Sequence, residues 1–119
     1  MNAGKTKLMV FTKSKARLRN LPDFTFDNAI LERVEDYVYL GIEFNWNGSF
    51  VKAKKRLRDK AVKAMYSVIQ MGRKLDLRIE VMFKLFDTCV MPILLYGSEV
   101  WGFECVEVIE KVHSRFCKM

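Results

Sequence analysis

Lysine and arginine supply the densest chemistry in this sequence, and they are concentrated in one segment. Residues 51–78 carry 10 basic and 2 acidic side chains, whereas residues 1–50 and 79–119 are close to charge balance. The net charge of +7 therefore originates in one short stretch. Such a block is typical of a surface that binds a polyanion, nucleic acid above all. The alternative is a solvated helix face that only keeps the protein soluble.

The cysteine, histidine and acidic positions give little support for a metal site or a catalytic site. His113 and Cys117 lie four residues apart, so on a helix they would share one face and could hold a metal ion. Cys105 would not easily reach the same ion, and a structural zinc site needs four ligands. Glu35-Asp36, an adjacent acid pair, is expected in a solvated turn. We therefore predict no metal ligands and no cofactor in this chain.

The elements before the basic block are predicted to be short strands and turns. Lys7 to Phe11 predicts a strand, whereas Lys13 to Arg19 is basic without apolar periodicity and predicts a loop. Residues 24–26 and 29–34 flank Asp27-Asn28, a turn-forming pair. This arrangement predicts a β-hairpin.

A further apolar run leads into the basic block. Tyr37 to Phe44 is rich in aromatic and β-branched residues and predicts a strand. Asn45 to Gly48 closes that strand with turn-forming residues. Ser49 then offers an N-cap for a helix.

After residue 50 the apolar residues recur every three or four positions, which is the period of a helix. A first stripe runs from Ala53 to Val68, and Gly72 is expected to end or loosen that helix. A second runs from Ile79 to Val90 and must end or kink at Pro92. A third runs from Val106 to Phe116. The sequence thus predicts an α+β fold, in which a small antiparallel β unit precedes three helices.

Length and composition restrict the class of protein further. Half of the 119 residues are hydrophobic and 29% are charged, which excludes a disordered chain. The longest apolar stretch, Cys89 to Tyr96, is too short to span a bilayer, so no membrane partner is expected. Three cysteines without a close pair fit a reducing, intracellular compartment, nuclear or cytoplasmic. Residues 1–50 and 51–119 are expected to form two parts of one partial domain.

Several segments, taken in order, resemble the reverse transcriptases of non-LTR (LINE-type) retrotransposons. Residues 2–11, NAGKTKLMVF, resemble the N-x-x-K-T-K stretch that follows the catalytic motif of those enzymes. Tyr39-Leu40-Gly41 resembles their Tyr-Leu-Gly hairpin. Residues 91–102, MPILLYGSEVWG, resemble their V-x-P-x-L-x-Y-G-x-E-x-W segment after the thumb, and residues 111–118 resemble the helix that follows.

The resemblance implies that residues 1–50 are the C-terminal end of the palm and residues 51–119 a thumb-like region. Lys5 would correspond to the palm lysine proposed to protonate the leaving pyrophosphate, and residues 39–41 to the primer-grip hairpin. The helix from Lys52 to Lys63 would follow the template–primer backbone, and its cations suit phosphates without reading bases. The predicted nucleic-acid-binding residues are Lys5, Lys7, Tyr39, Leu40, Gly41, Lys52, Lys55, Arg56 and Lys63.

The family's Tyr-x-Asp-Asp motif and its partner aspartate do not occur in these 119 residues. Nucleotidyl transfer by two metal ions needs those carboxylates, so we expect no enzymatic activity and no site for the Mg²⁺ that the family uses. The expected function is that of a non-catalytic reverse-transcriptase fragment. It would bind an RNA–DNA hybrid or other nucleic acid weakly and without sequence preference, and a separately encoded palm and fingers portion is left open as a further partner.

Two alternatives from other classes remain open at this point. One is a domesticated protein-interaction module that docks through an uncovered apolar edge. The other is a gene-model fragment that does not fold stably and has no function, because a partial palm exposes strand edges and lacks part of its core.

Overall fold

The computed structural model describes residues 3–101 and 107–119. Within these ranges the chain is an α+β protein, as the sequence predicts, with short strand pairs first and helices after them. It divides into two compact units, Met1–Lys52 and Ala53–Met119. Their assignment to a palm end and a thumb stays a prediction.

The strands of the first unit are short and form three separate pairs. They are β1 (Lys7–Leu8), β2 (Thr25–Phe26), β3 (Ala29–Ile30), β4 (Glu32–Arg33), β5 (Asp36–Tyr39) and β6 (Ile42–Asn45). The predicted antiparallel pairing is confirmed for β2 with β3 and for β5 with β6. The third pair, β1 with β4, is parallel. Its partners are far apart in the chain, so the local residue pattern carries no signal for that pairing.

Both antiparallel pairs are hairpins with two-residue turns whose backbone is left-handed. Asp27 and Asn28 have φ of 54° and 61°, which confirms the hairpin predicted from this pair. Leu40 and Gly41 have φ of 49° and 81°, and they join β5 to β6. The prediction of one strand over residues 37–44, made from the residue pattern, is therefore wrong, whereas the hairpin that the resemblance implies at residues 39–41 is confirmed. The aromatic and β-branched pattern is the same for one strand as for two, and leucine at Leu40 gives no turn signal.

The predicted turn at Asn45 to Gly48 is confirmed, because the N–H of Gly48 donates to the carbonyl of Asn45 at 2.9 Å. A series of local hydrogen bonds then leads from β6 into the first long helix. Asn45 Oδ1 accepts from the N–H of Asn47 at 3.3 Å, and Asn47 Oδ1 accepts from the N–H of Ser49 at 2.9 Å. Ser49 Oγ accepts from the N–H of Val51 at 3.4 Å, at the first residue of α2 (Val51–Lys74). The predicted capping role of Ser49 therefore has a geometric basis.

Lys13 to Arg19 is not the predicted loop, because its last five residues form α1 (Lys15–Arg19). Leu18 is its buried residue. The guanidinium of Arg33 donates to the carbonyl of Leu18 at 3.0 Å, and to those of Leu21 and Pro22 at 3.1 and 2.9 Å. A helix of one turn with a single apolar anchor has no periodicity to detect, so the sequence could not reveal it.

The second unit is helical and contains the three predicted helices. They are α2, α3 (Ile79–Cys89) and α6 (Glu107–Cys117), with short helices α4 (Met91–Leu94) and α5 (Ser98–Trp101) between the last two. Pro92 lies in the first turn of α4, directly after α3 ends, as expected. Val106, placed at the start of the third helix by its stripe, lies outside the described residues.

Gly72 does not end α2, which continues to Lys74. It is buried, and a Cβ at this position would lie 1.9 Å from the Sδ of Met82 on α3. The glycine therefore permits the Met82 side chain to pack directly against the backbone of α2, which is a packing role that the sequence does not distinguish from a helix stop.

The core of the second unit combines α2, α3, α4 and α6. Phe86 of α3 is its centre, with its ring stacked on that of Phe116 of α6 at 4.3 Å. The buried members of this core come from the four helices and from the junction of α3 and α4, and they are Ala61, Met65, Val68, Ile69, Phe86, Val90, Leu94, Val112 and Phe116. Among the helices of the described residues, none is both long enough and apolar enough to cross a membrane.

Candidate nucleic-acid interface

The exposed side of α2 carries the cations that the sequence singles out. Ala61, Met65 and Ile69 turn one side of this helix into the core of the second unit. Lys55, Arg56 and Lys63 are exposed. Successive residues of a helix are rotated by about 100°, so the three cations lie on the solvent side when the apolar side of α2 packs into the core. We call these three residues, with exposed Lys60 between them, the α2 cationic face.

The α2 cationic face has a strong excess of positive charge. The helix contains nine basic residues and one acid, Asp59. That acid accepts from Arg58, whose Nη2 lies 2.9 Å from its Oδ1. Lys54, which belongs to the same basic run, is 7% exposed and does not contribute to the surface.

Lys52, the first basic residue of α2, forms an ion pair within the first unit. Its Nζ lies 2.6 Å from Oδ2 of Asp36, and Asn45 donates to the other carboxylate oxygen of Asp36. The hydrogen bond from Lys52 lowers the pKa of the Asp36 carboxyl below its ordinary value, and the same bond raises the pKa of Lys52. Both groups are therefore charged near neutral pH, and a phosphate would have to displace Asp36 to bind Lys52.

Lys7 is engaged in the same manner in the first unit. Its Nζ lies 2.6 Å from Oε2 of Glu32, its partner across the β1–β4 pair. Lys5 ends a 3-10 turn (Ala3–Lys5) and is exposed. Of the two N-terminal lysines predicted to bind nucleic acid, Lys7 thus already has a counter-charge.

The predicted primer-grip residues form the exposed tip of the β5–β6 hairpin. Tyr39 is 59% exposed and Leu40 is 72% exposed. Gly41 completes the turn with φ of 81°. An exposed tyrosine ring beside a narrow turn can stack on a base or a sugar. The structure therefore brings these three residues together, as the resemblance implies, and their role in binding stays a prediction.

The residues considered for a metal site are not arranged as one. Cys117 Sγ lies 4.0 Å from Nδ1 of His113, whose ring packs edge-on against Phe86. Cys105 lies outside the described residues. In the part of the chain that the structure describes, no three His, Cys, Asp or Glu side chains converge as a metal site would require.

A groove of about 350 Å³ lies in the second unit, between α2, α3 and α6. Its apolar lining includes Ile79, Met82, Phe83 and Met119. None of the predicted nucleic-acid-binding residues lines it. The groove and the α2 cationic face are therefore separate features of this unit.

Sequence reasoning missed one group of exposed cations. Lys13, together with Lys15, Arg17 and Arg19 of α1, is exposed on the first unit. The signal was present, because residues 1–22 contain six basic residues and no acid. A predicted loop has no defined face, so the sequence alone does not place these cations on one surface.

Comparison with known proteins gives one informative match. No family model matches the chain, and no solved structure matches it. The chain is 32% identical over 108 residues to an uncharacterized transposon-derived protein of Caenorhabditis elegans. The aligned region covers 87% of this chain and 36% of that protein, so the chain spans about a third of the relative's length. The similarity indicates a transposon origin for this chain.

Proposed function

We propose that this chain is the palm end and thumb of a LINE-type reverse transcriptase, and that it binds nucleic acid through phosphate contacts without reading sequence. Two independent facts support the origin: the ordered motifs at residues 2–11, 39–41 and 91–102, and the similarity to a transposon-derived protein along most of the chain. The binding activity is supported by the chemistry of α2.

The observation that carries the proposal is the α2 cationic face. Its side chains project from a helix that is fixed by the core of the second unit, so little backbone conformational entropy is lost when a ligand binds. Arg56 and Lys63 are separated by about 10 Å along the helix, at ~1.5 Å per residue. That separation corresponds to about three base-pair steps measured along the axis of a duplex, at ~3.4 Å per step. Both residues can therefore contact the same strand.

The exposed hairpin tip suits the primer side of such a complex. Tyr39 offers a ring for stacking, and the narrow Leu40-Gly41 turn allows the backbone to approach a sugar closely. Lys5 would serve as a general acid only in an enzyme that also supplies the catalytic carboxylates. These 119 residues contain no Asp-Asp pair, so we expect no nucleotide transfer by this chain alone.

The test is a triple substitution, Lys55→Ala with Arg56→Ala and Lys63→Ala, assayed for binding to an RNA–DNA hybrid at several salt concentrations. Each lost phosphate contact flattens the plot of log K against log salt by about 0.9 for a B-form duplex. The triple variant should therefore lose up to about 3 units of slope, with weaker binding at each salt concentration.

A matched control removes the same charge from other exposed positions. Lys84→Ala, Lys111→Ala and Lys118→Ala lower the net charge equally but lie on α3, on α6 and after α6. The control should retain most of the affinity and the salt slope of the wild type. Equal losses in the two triple variants would show that net charge acts, and the α2 cationic face would then have no specific role.

A further inference from the structure

We infer that the first unit has its own nucleic-acid-binding surface, formed by Lys13 and the three cations of α1, Lys15, Arg17 and Arg19. We call this set the α1 cationic surface. It takes the sugar–phosphate backbone of a duplex as its ligand. The inference rests on the proposed function, because it assumes that the chain encounters nucleic acid, but it concerns different residues in the other compact unit.

The four residues of the α1 cationic surface differ from Lys7 and Lys52, two lysines that the resemblance predicts to bind nucleic acid, in whether an acid lies beside them. Lys7 and Lys52, the predicted contacts at the two ends of the first unit, are each 2.6 Å from a carboxylate oxygen. The four members of the α1 cationic surface are exposed, and within the described residues none of them forms an ion pair with an acid. A phosphate can bind such a cation without first breaking an ion pair within the protein.

The geometry of α1 brings two of its three cations to one side. Leu18 is the buried residue, so the opposite side of the helix, close to Ala16, faces solvent. At 100° per residue, Lys15 and Arg19 lie within about 40° of each other, and Arg17 lies on the other side of Ala16. Lys15 and Arg19 are one turn apart, about 6 Å along the axis, so both can contact phosphates of one strand.

The segment is anchored at both ends, so the charges are held in place before a ligand arrives. Before α1, the N–H of Thr12 donates to the carbonyl of Trp46 at 2.9 Å, and Thr12 Oγ1 accepts from the N–H of Ser14 at 3.2 Å. At the other end, Arg33 donates to the carbonyl of Leu18 in the last turn of α1 and to that of Leu21 after it. A surface ordered in advance loses less conformational entropy on binding.

The surface favours a phosphate backbone over a protein partner. Residues 12–23 expose no large apolar side chain, and the exposed rings of Phe11 and Phe24 lie outside that range. The centre of a protein interface is instead apolar and aromatic. An arginine fork also matches phosphate oxygens in a bidentate manner. The chemistry is that of non-specific duplex contact, in which backbone charge supplies the affinity.

The experiment uses the full chain with Lys13→Gln, Lys15→Gln, Arg17→Gln and Arg19→Gln, titrated with a duplex RNA–DNA hybrid across a salt series. We expect affinity at ~0.1 M salt to fall by at least about tenfold and the salt slope to flatten by roughly 2 to 4 units. The charge control replaces Arg78, Lys84, Lys111 and Lys118 by Gln, and it should lose much less. A second variant, with Lys13→Arg, Lys15→Arg, Arg17→Lys and Arg19→Lys, keeps the charge and should bind as the wild type does.

The outcomes separate this inference from the proposed function. If the α2 triple variant loses affinity and the α1 quadruple variant does not, the inference is overturned and the proposed function stands. If neither variant differs from its charge control, both are overturned. A urea unfolding midpoint equal to that of the wild type shows that the quadruple variant is folded. If the quadruple variant shows no unfolding transition, Arg17→Gln and Arg19→Gln are tested as single changes, and each must flatten the salt slope. Wild-type binding to polyglutamate or to phosphatidylserine vesicles that equals binding to the hybrid would overturn the assignment of nucleic acid as the ligand.

Discussion

Replacement of Phe86 by alanine tests whether the aromatic core of the second unit holds α2 in place. Phe86 is 0% exposed, and its ring stacks on Phe116 with centroids 4.3 Å apart and planes 27° apart. Phe83, one turn earlier on α3, also meets Phe116, but edge-on at 5.5 Å, and it is 39% exposed. The two substitutions delete the same atoms from the same helix, so Phe83→Ala is a matched control.

The expected losses follow from burial. Phe86→Ala removes a fully enclosed ring, which costs about 3–5 kcal/mol of unfolding free energy, including the cavity that is left. Phe83→Ala should cost about 1–2 kcal/mol, because part of this ring already faces water and the space it leaves opens to solvent. A unit spanning residues 53–119 has a total stability of only about 3–10 kcal/mol at typical values per residue. Phe86→Ala therefore removes about a third of the stability of this unit or more.

The assay is urea unfolding followed by helical circular dichroism, with hybrid binding measured on the same samples. Phe86→Ala should shift the unfolding midpoint far more than Phe83→Ala does. Its apparent affinity for the hybrid should fall in proportion to the folded fraction, since the α2 cationic face depends on a packed α2. Equal midpoints for the two variants would refute the argument from burial, and full binding by an unfolded Phe86→Ala variant would refute the dependence on a packed helix.

Three further predictions concern the first unit. Leu40→Asn should raise the unfolding free energy by roughly 1 kcal/mol in urea titrations, because asparagine tolerates the left-handed backbone of this turn and Leu40 is largely exposed. Arg33→Lys should lower it by about 1–3 kcal/mol, because lysine has no planar fork to serve three carbonyls; a loss no greater than for Lys15→Gln would contradict this. Asp36 has a lowered pKa in the folded protein, so its stabilising effect is complete above its ordinary pKa near 3.8 and is lost as the pH falls through the lower, folded value. The wild type should thus exceed Asp36→Asn in unfolding free energy at pH 7, and the difference should shrink as the pH falls below about 4; a difference that is constant with pH would contradict the role of the Lys52 pair.

The sequence predicts the helices well, because their signal is local and repeated. The apolar stripes that contain Ala61 and Phe86 follow the helical period over many turns, and the buried cores of α2 and α3 match them. The turn at Asp27-Asn28 is predictable for a similar reason, since both residues tolerate positive φ. In each case the chemistry that fixes the structure lies within a few residues.

The features that the sequence does not predict depend on distant partners or on too few residues. The parallel pairing of β1 with β4 joins Lys7 to Glu32, and no local pattern specifies it. Helix α1 has one apolar residue, so its anchoring by Arg33 cannot be inferred from periodicity. A glycine occurs both at helix ends and at close packing contacts, and only the position of the Met82 side chain shows that Gly72 has the second role.

The same limit explains the site residues. Exposed Lys55 and Lys63 follow from helical spacing opposite a predicted apolar stripe. The ion pairs at Lys7 and Lys52 require knowledge of partners 25 and 16 residues away, and they change which cations of the first unit are available to a phosphate. The resemblance places residues in a family order but does not show which of them already have a counter-charge.

The most direct test of the account is the salt dependence of wild-type binding to an RNA–DNA hybrid. Contacts from both cationic surfaces predict a dissociation constant in the micromolar range or weaker near physiological salt, and log K falling linearly with log salt at a slope of about −3 to −6. Duplexes of different sequence should bind equally. A slope near zero, or no binding at low salt by the folded chain, would contradict the claim that this transposon-derived segment holds nucleic acid through its phosphates.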